Sequence, residues 1–154
     1  MQTDSHINLR VMGMNAAVNN SPTVFVIDND RGSLRSLSWM LRQADLSVQS
    51  FSTGREFLAA YQAGQSGCLV LDVSMPAMDG LALRQTLRKR LIHLPIIFLT
   101  AYRDVPEVAR AFRESKTPVL DKPVDDKVLL EHIGRLIAQD AQIGSDNVAI
   151  DVTP

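Results

Sequence analysis

The sequence predicts an α/β domain built as a doubly wound, five-stranded parallel sheet with helices on both faces. Three observations carry that expectation. Short, fully apolar runs such as "CLVLD" (Cys68–Asp72) and "PIIFLT" (Pro95–Thr100) alternate with longer segments of helical period. Strands that are apolar on both sides belong to a sheet covered twice, as parallel sheets are. Five such runs take turns with five amphipathic segments, the βαβ order that right-handed crossovers close into one sheet. The chain of 154 residues, 45% hydrophobic and 21% charged, is long enough for one core and shows no internal repeat.

Taken in order, residues 1–21 are mixed and polar and read as a loose N-terminal arm. "TVFVID" (Thr23–Asp28) is a β-branched run between polar clusters, hence the first strand. Gly32–Ala44 switches to helical period, with Leu34, Leu37, Met40, Leu41 and Ala44 on one face and Ser33 as the expected cap. "LSVQSF" (Leu46–Phe51) is the second strand, and "STGREFLAAYQA" (Ser52–Ala63) the second helix, beginning at Ser52 or Thr53. Cys68–Asp72 is the third strand, followed by the helix "GLALRQTLRKRL" (Gly80–Leu91), entered from an Asp79-Gly80 turn. Pro95–Thr100 is the fourth strand. Asp104–Glu114 is the fourth helix, where Pro106 suits the first turn because its missing N–H would have had no partner there. Pro118–Pro123 supplies a short fifth strand. Val124–Asp140 is the last helix, with Leu129, Ile133, Leu136 and Ile137 on one face. One domain over residues 22–141 follows, with 142–154 as a tail that shows no clear pattern.

Composition removes several function classes. A net charge of -1 and a pI near 6.3 argue against a dedicated nucleic-acid binder. A single cysteine, Cys68, allows neither an internal disulfide nor a Cys-based zinc site, and its apolar setting marks a buried structural thiol. His6, His93 and His132 have no metal-ligand spacing. No apolar stretch reaches the ~20 residues that span a bilayer, and the N-terminus lacks the pattern of a secretory signal. A cytoplasmic protein with no membrane association is the expectation.

In an open α/β sheet, ligands bind outside the carboxyl ends of the strands. The first strand ends in Asp28, Asn29 and Asp30, the third in Asp72, the fourth in Thr100, and the fifth runs into Lys122. Clustered carboxylates and an amide oxygen suit Mg²⁺, a hard cation that keeps waters and binds phosphate oxygens. One carboxylate can then attack an activated phosphorus, while a hydroxyl and an ammonium hold the transferred oxygens. Asp72, alone between a strand and a Met-Pro turn, is the best nucleophile. Taken singly, each residue has a blander role: Asp28–Asp30 a helix cap, Thr100 a strand-end turn residue, Lys122 solvated surface. Their placement at successive strand ends favours the chemical reading.

On these residues the sequence resembles the receiver domain of bacterial two-component response regulators, over roughly residues 22–140. "VSMPAMDG" and "TAYRDVP" are most similar to the FixJ-type branch. The resemblance implies the CheY-like, flavodoxin-like fold, with Asp72 as phosphoacceptor and Thr100 and Lys122 beside it. It implies a metal site of Asp28, Asn29, Asp72 and the main-chain carbonyl of Ser74, holding Mg²⁺. It also implies a sensor histidine kinase as phosphodonor and a response on the face of the fourth helix, fifth strand and fifth helix. Two positions depart from the family pattern. Asn29 stands where the second acid of the metal pair is usual, which weakens Mg²⁺ binding, with Asp30 as a partial substitute. Val119 stands where the switch residue is usually aromatic, and "ESKTP" (Glu114–Pro118) replaces the small residues usual before that strand.

Related regulators continue into a DNA-binding domain, whereas this sequence runs only about a dozen residues past the last helix. Direct DNA binding is therefore not expected. A downstream protein or phosphorelay partner is, and homodimerisation is left open. On the first helix, Arg35, Trp39 and Arg42 share a face away from the leucines, the composition of an interface anchor. The alternative is a tryptophan packed on the helix flank between solvated arginines. "RQTLRKR" (Arg84–Arg90) reads as a solvated charged face. Two other functions compete with the phosphoacceptor. One is a receiver-like binding module that works without phosphate. The other is a haloacid-dehalogenase-like phosphatase, read from "VFVIDND", with Asp28 as nucleophile and Asp30 as acid/base.

Overall fold

The computed structural model describes residues 21–73, 78–102 and 104–149. The chain runs β1 (Thr23–Ile27), α1 (Arg31–Gln43), β2 (Ser47–Phe51), α2 (Gly54–Ala60), β3 (Gly67–Val73), α3 (Met78–Lys89), β4 (Ile96–Thr100), α4 (Pro106–Ser115), β5 (Val119–Asp121) and α5 (Asp126–Ala149). All strand pairs are parallel, in the order β2-β1-β3-β4-β5. This is the doubly wound sheet that the alternation of elements predicts.

Side chains of one strand alternate between faces, and the core splits accordingly. Phe25, Ile27, Leu69, Leu71 and Phe98 pack under α2, α3 and α4 with Phe57, Leu83, Leu87 and Phe112. Val24, Val26, Cys68, Val70, Ile97 and Leu99 pack under α1 and α5 with Leu41, Leu129 and Ile133. Burial pushes the Cys68 thiol up to about 12, with the charge of Asp140 adding to the effect, so it is a structural thiol. Asp140 also ties α5 to the sheet, its Oδ2 accepting from the Gly67 amide at 3.1 Å.

Local chemistry explains where the elements depart from the sequence reading. The cap of α1 is Asp30, not Ser33, because Asp30 Oδ1 accepts from the amides of both Gly32 and Ser33. Thr53 caps α2 through the Glu56 amide, and Glu56 Oε2 reaches back to the Ser52 amide. That helix stops at Ala60 rather than Ala63. Tyr61 turns extended, its ring packs on Phe25 and Phe57, and its hydroxyl donates to the Gln65 carbonyl. Asp79 and Gly80 lie within the first turn of α3 instead of forming a turn before it. A Cβ on Gly80 would stand 3.0 Å from Val73 Cγ2, so glycine here lets α3 approach β3 closely. Pro106 opens α4 as expected. The last helix runs to Ala149, into the segment read as a tail. "AQIGSDNVA" holds no proline, and Gly144 alone costs a helix only about 1 kcal/mol.

Candidate functional site

Strand register assembles the site. Ile27 is level with Leu71, so the next residues, Asp28 and Asp72, emerge side by side from adjacent strands. Val73 is level with Thr100, and Thr100 with Asp121, which brings Lys122 one residue beyond. Neighbouring strands lie about 4.8 Å apart, so residues distant in sequence meet at one edge without any special loop. The main chain locks this level: the Asp28 amide donates to the Phe51 carbonyl at 3.1 Å, and the Lys122 amide donates to the Thr100 carbonyl at 2.9 Å.

Asp72 is nearly enclosed, its side chain only 6% exposed, and its Oδ2 accepts from Lys122 Nζ at 2.6 Å. A charge-assisted bond that short fixes both side chains. Asp28 is 2% exposed and faces Asp72. Burial, then a side-chain hydrogen bond with Asp72, push its carboxyl from 3.8 up to about 6. The Asp30 amide, donating to Asp28 Oδ1 at 2.9 Å, and the Lys122 charge oppose the rise without cancelling it. Thr100 is fully buried, and its Oγ1 accepts from the Tyr102 amide at 3.0 Å. That bond holds the Thr100 side chain through Tyr102, a contact that sequence reading did not single out.

Beside Asp72 opens a hollow of about 260 Å³, lined also by Asn29, Ser52, Thr53 and Gly80. The β2–α2 hydroxyls could not be placed at this edge from spacing alone. The donor set of Asp28, Asp72 and the Asn29 amide is all oxygen and fits Mg²⁺, though with one negative charge fewer than three carboxylates would give. Asp30, the expected partial substitute, uses its Oδ1 to cap α1. Accordingly, no group of three acidic, histidine or cysteine side chains with metal-holding geometry occurs among the described residues. Ser74, the expected carbonyl donor, lies outside them. The hollow is lined by Asp72 and not by Asp28, which favours Asp72 over Asp28 as the nucleophile.

The remaining candidates lie apart from this edge. Trp39 is 64% exposed, and with Arg31, Arg35, Ser38 and Arg42 it lines a second hollow. Val119 begins β5, level with Phe98, half-buried against the core under α4. No helix among the described residues is long and apolar enough to cross a membrane.

Comparison with known proteins agrees with this fold. The response regulator receiver domain family matches residues 24–134. The transcriptional regulatory protein TdiR of Thauera aromatica is 39% identical over 119 residues, 77% of this chain and 52% of that protein. Nodulation protein W of Bradyrhizobium diazoefficiens is 35% identical over 124 residues, 80% and 55% of the two chains. The chain thus spans about half the length of these curated relatives. Among solved structures, the response regulator StyR superposes with a TM-score of 0.75 at 34% identity, covering 85% of this chain and 66% of that one. FixJ-N gives 0.68 at 30%, covering 77% and 94%. The chain therefore belongs to the response regulator receiver domain family, a family of signalling phosphoacceptors and not of conventional enzymes.

Proposed function

We propose that this protein accepts a phosphoryl group on Asp72 from a sensor histidine kinase and passes its state on through protein contacts. The single observation that carries the reading is the Asp72 carboxylate, held 2.6 Å from Lys122 Nζ beside Asp28 and open to a hollow. One Asp72 oxygen attacks the phosphorus, the bond from phosphorus to the histidine nitrogen breaks, and the leaving imidazole retains the electron pair and takes up a proton. Lys122 turns from Asp72 to the transferred oxygens, and the Thr100 hydroxyl, whose oxygen accepts from the Tyr102 amide, donates its own proton to another of them. Asp28, Asn29, Asp72 and the Ser74 carbonyl would hold Mg²⁺, which when bound offsets the negative charge that gathers around phosphorus. The exposed Arg35, Trp39 and Arg42 face of α1 docks the kinase, since an exposed tryptophan between cations is the chemistry of an anchor. Output passes through the α4–β5–α5 face, where valine at position 119 makes the moving part smaller than a ring.

Incubation with acetyl phosphate and Mg²⁺, read by intact mass beside Asp72→Asn, tests this. One added phosphoryl group that Asp72→Asn abolishes is the expected result. No adduct at high Mg²⁺ would instead identify a binding module that works without phosphate, the outcome that Asn29 favours.

A further inference from the structure

Two sequence features that the phosphoacceptor chemistry leaves unused, the "RQTLRKR" run and the "ESKTP" segment, meet at one place in the fold. They border a hollow of about 290 Å³ at the amino-terminal end of β4 and β5. Four of its twelve lining residues are basic, Arg84, Arg88, His93 and Lys116, and none of the twelve is acidic. Leu87 and Pro118 are among the apolar residues of its wall. We propose that this hollow binds a small organic anion, with a carboxylate or phosphate head against the basic rim and an apolar body against the leucine and proline wall.

Arg84 and Arg88 are one helical turn apart, a like-charged pair that weakens a helix. The carboxyl end of α3 favours Arg88 and Lys89, which sit in its last turn. Partial burial, then the charge of Arg88, lower the Arg84 pKa. Lys116 caps α4 in the left-handed conformation, φ 54°, where glycine fits best. An arginine pair, a lysine and an imidazole converging on a half-apolar hollow suit an anion that brings its own apolar surface. The hollow lies one strand length, about 13 Å, from the Asp72 edge, because β4 carries Ile96 at one end and Thr100 at the other. Occupancy therefore leaves the phosphoacceptor open and does not depend on its chemistry.

Titration of the ¹⁵N-labelled protein with phenyl phosphate and, separately, phenylacetate tests the site. Saturable shifts of the Arg88, His93, Lys116 and Thr117 amides are expected with at least one probe, and the tighter of the two assigns the head group. Inorganic phosphate alone should bind about tenfold more weakly, since it brings no apolar body. The double variant Arg84→Gln/Lys116→Gln should lose about tenfold in affinity while keeping the dispersed spectrum of a folded protein. Arg88→Gln provides an independent second variant with the same expectation. Non-saturating shifts with both probes would overturn the proposal. So would inorganic phosphate binding as tightly as phenyl phosphate, or variants that bind unchanged.

Discussion

Asp28→Asn removes a charge that the folded protein holds at a cost. Its carboxyl rises from 3.8 to about 6 on folding, through burial first and the facing Asp72 second. At 1.36 kcal/mol per pKa unit that rise is worth about 3 kcal/mol, and water at the open edge lowers the expected effect to about 1–3 kcal/mol. A carboxyl whose folded pKa is raised contributes stability below its unfolded value, near pH 4, and loses it as pH climbs through about 6. Asparagine stays neutral throughout, and its side-chain oxygen can still accept from the Asp30 amide. Urea unfolding in EDTA, from pH 4 to pH 7.5, should therefore show the two proteins nearly equal at the acid end. At pH 7.5 the variant should be more stable by about 1–3 kcal/mol, or roughly 2–12 °C in Tm for a chain this long. Mg²⁺ at pH 7.5 should raise the Tm of the parent more than that of the variant. A stability difference that does not change with pH, or a variant less stable at pH 7.5, would refute the reasoning.

Three further outcomes follow from the geometry. Asn29→Asp restores a third negative charge beside Asp28 and Asp72 and should tighten Mg²⁺ binding about tenfold by calorimetry; unchanged affinity would mean that position 29 does not face the ion. Lys122→Met takes away the cation 2.6 Å from Asp72 and should slow acetyl phosphate labelling at least about tenfold, while a labelling rate equal to the parent's would remove Lys122 from the chemistry. Gly67→Ala sets a Cβ 1.8 Å from the Thr23 carbonyl oxygen at a φ of 136°. It should destabilise the fold by more than about 3 kcal/mol in urea, and a loss under 1 kcal/mol would show that β1 and β3 part there easily.

Much of this was legible before any coordinates, for a physical reason. Strands buried on both faces must be apolar along their whole length, so five such runs between amphipathic helices fix a parallel sheet, and parallel sheets gather their strand ends at one edge. Asp28, Asp72, Thr100 and Lys122 are adjacent because register follows from that pattern. Asp30 shows where sequence stopped being enough. Its type suits both a metal ligand and a helix cap, and only the structure shows its Oδ1 turned toward the amides of Gly32 and Ser33. Tyr61 ends α2 early because three rings find one another across the core, a contact that helical period does not encode. Whether Trp39 is packed or exposed depends on what lies over its helix face. The basic hollow joins residues 84–88 with residue 116 from opposite ends of β4's flanking connections, and separation in sequence hides it. Sequence by itself determined the sheet, its working edge and the phosphoacceptor candidate, since these follow from polarity and period. Tertiary structure decided which carboxylates face inward, which hydroxyl is held and where cations converge, since those depend on directions and distances between distant parts of the chain.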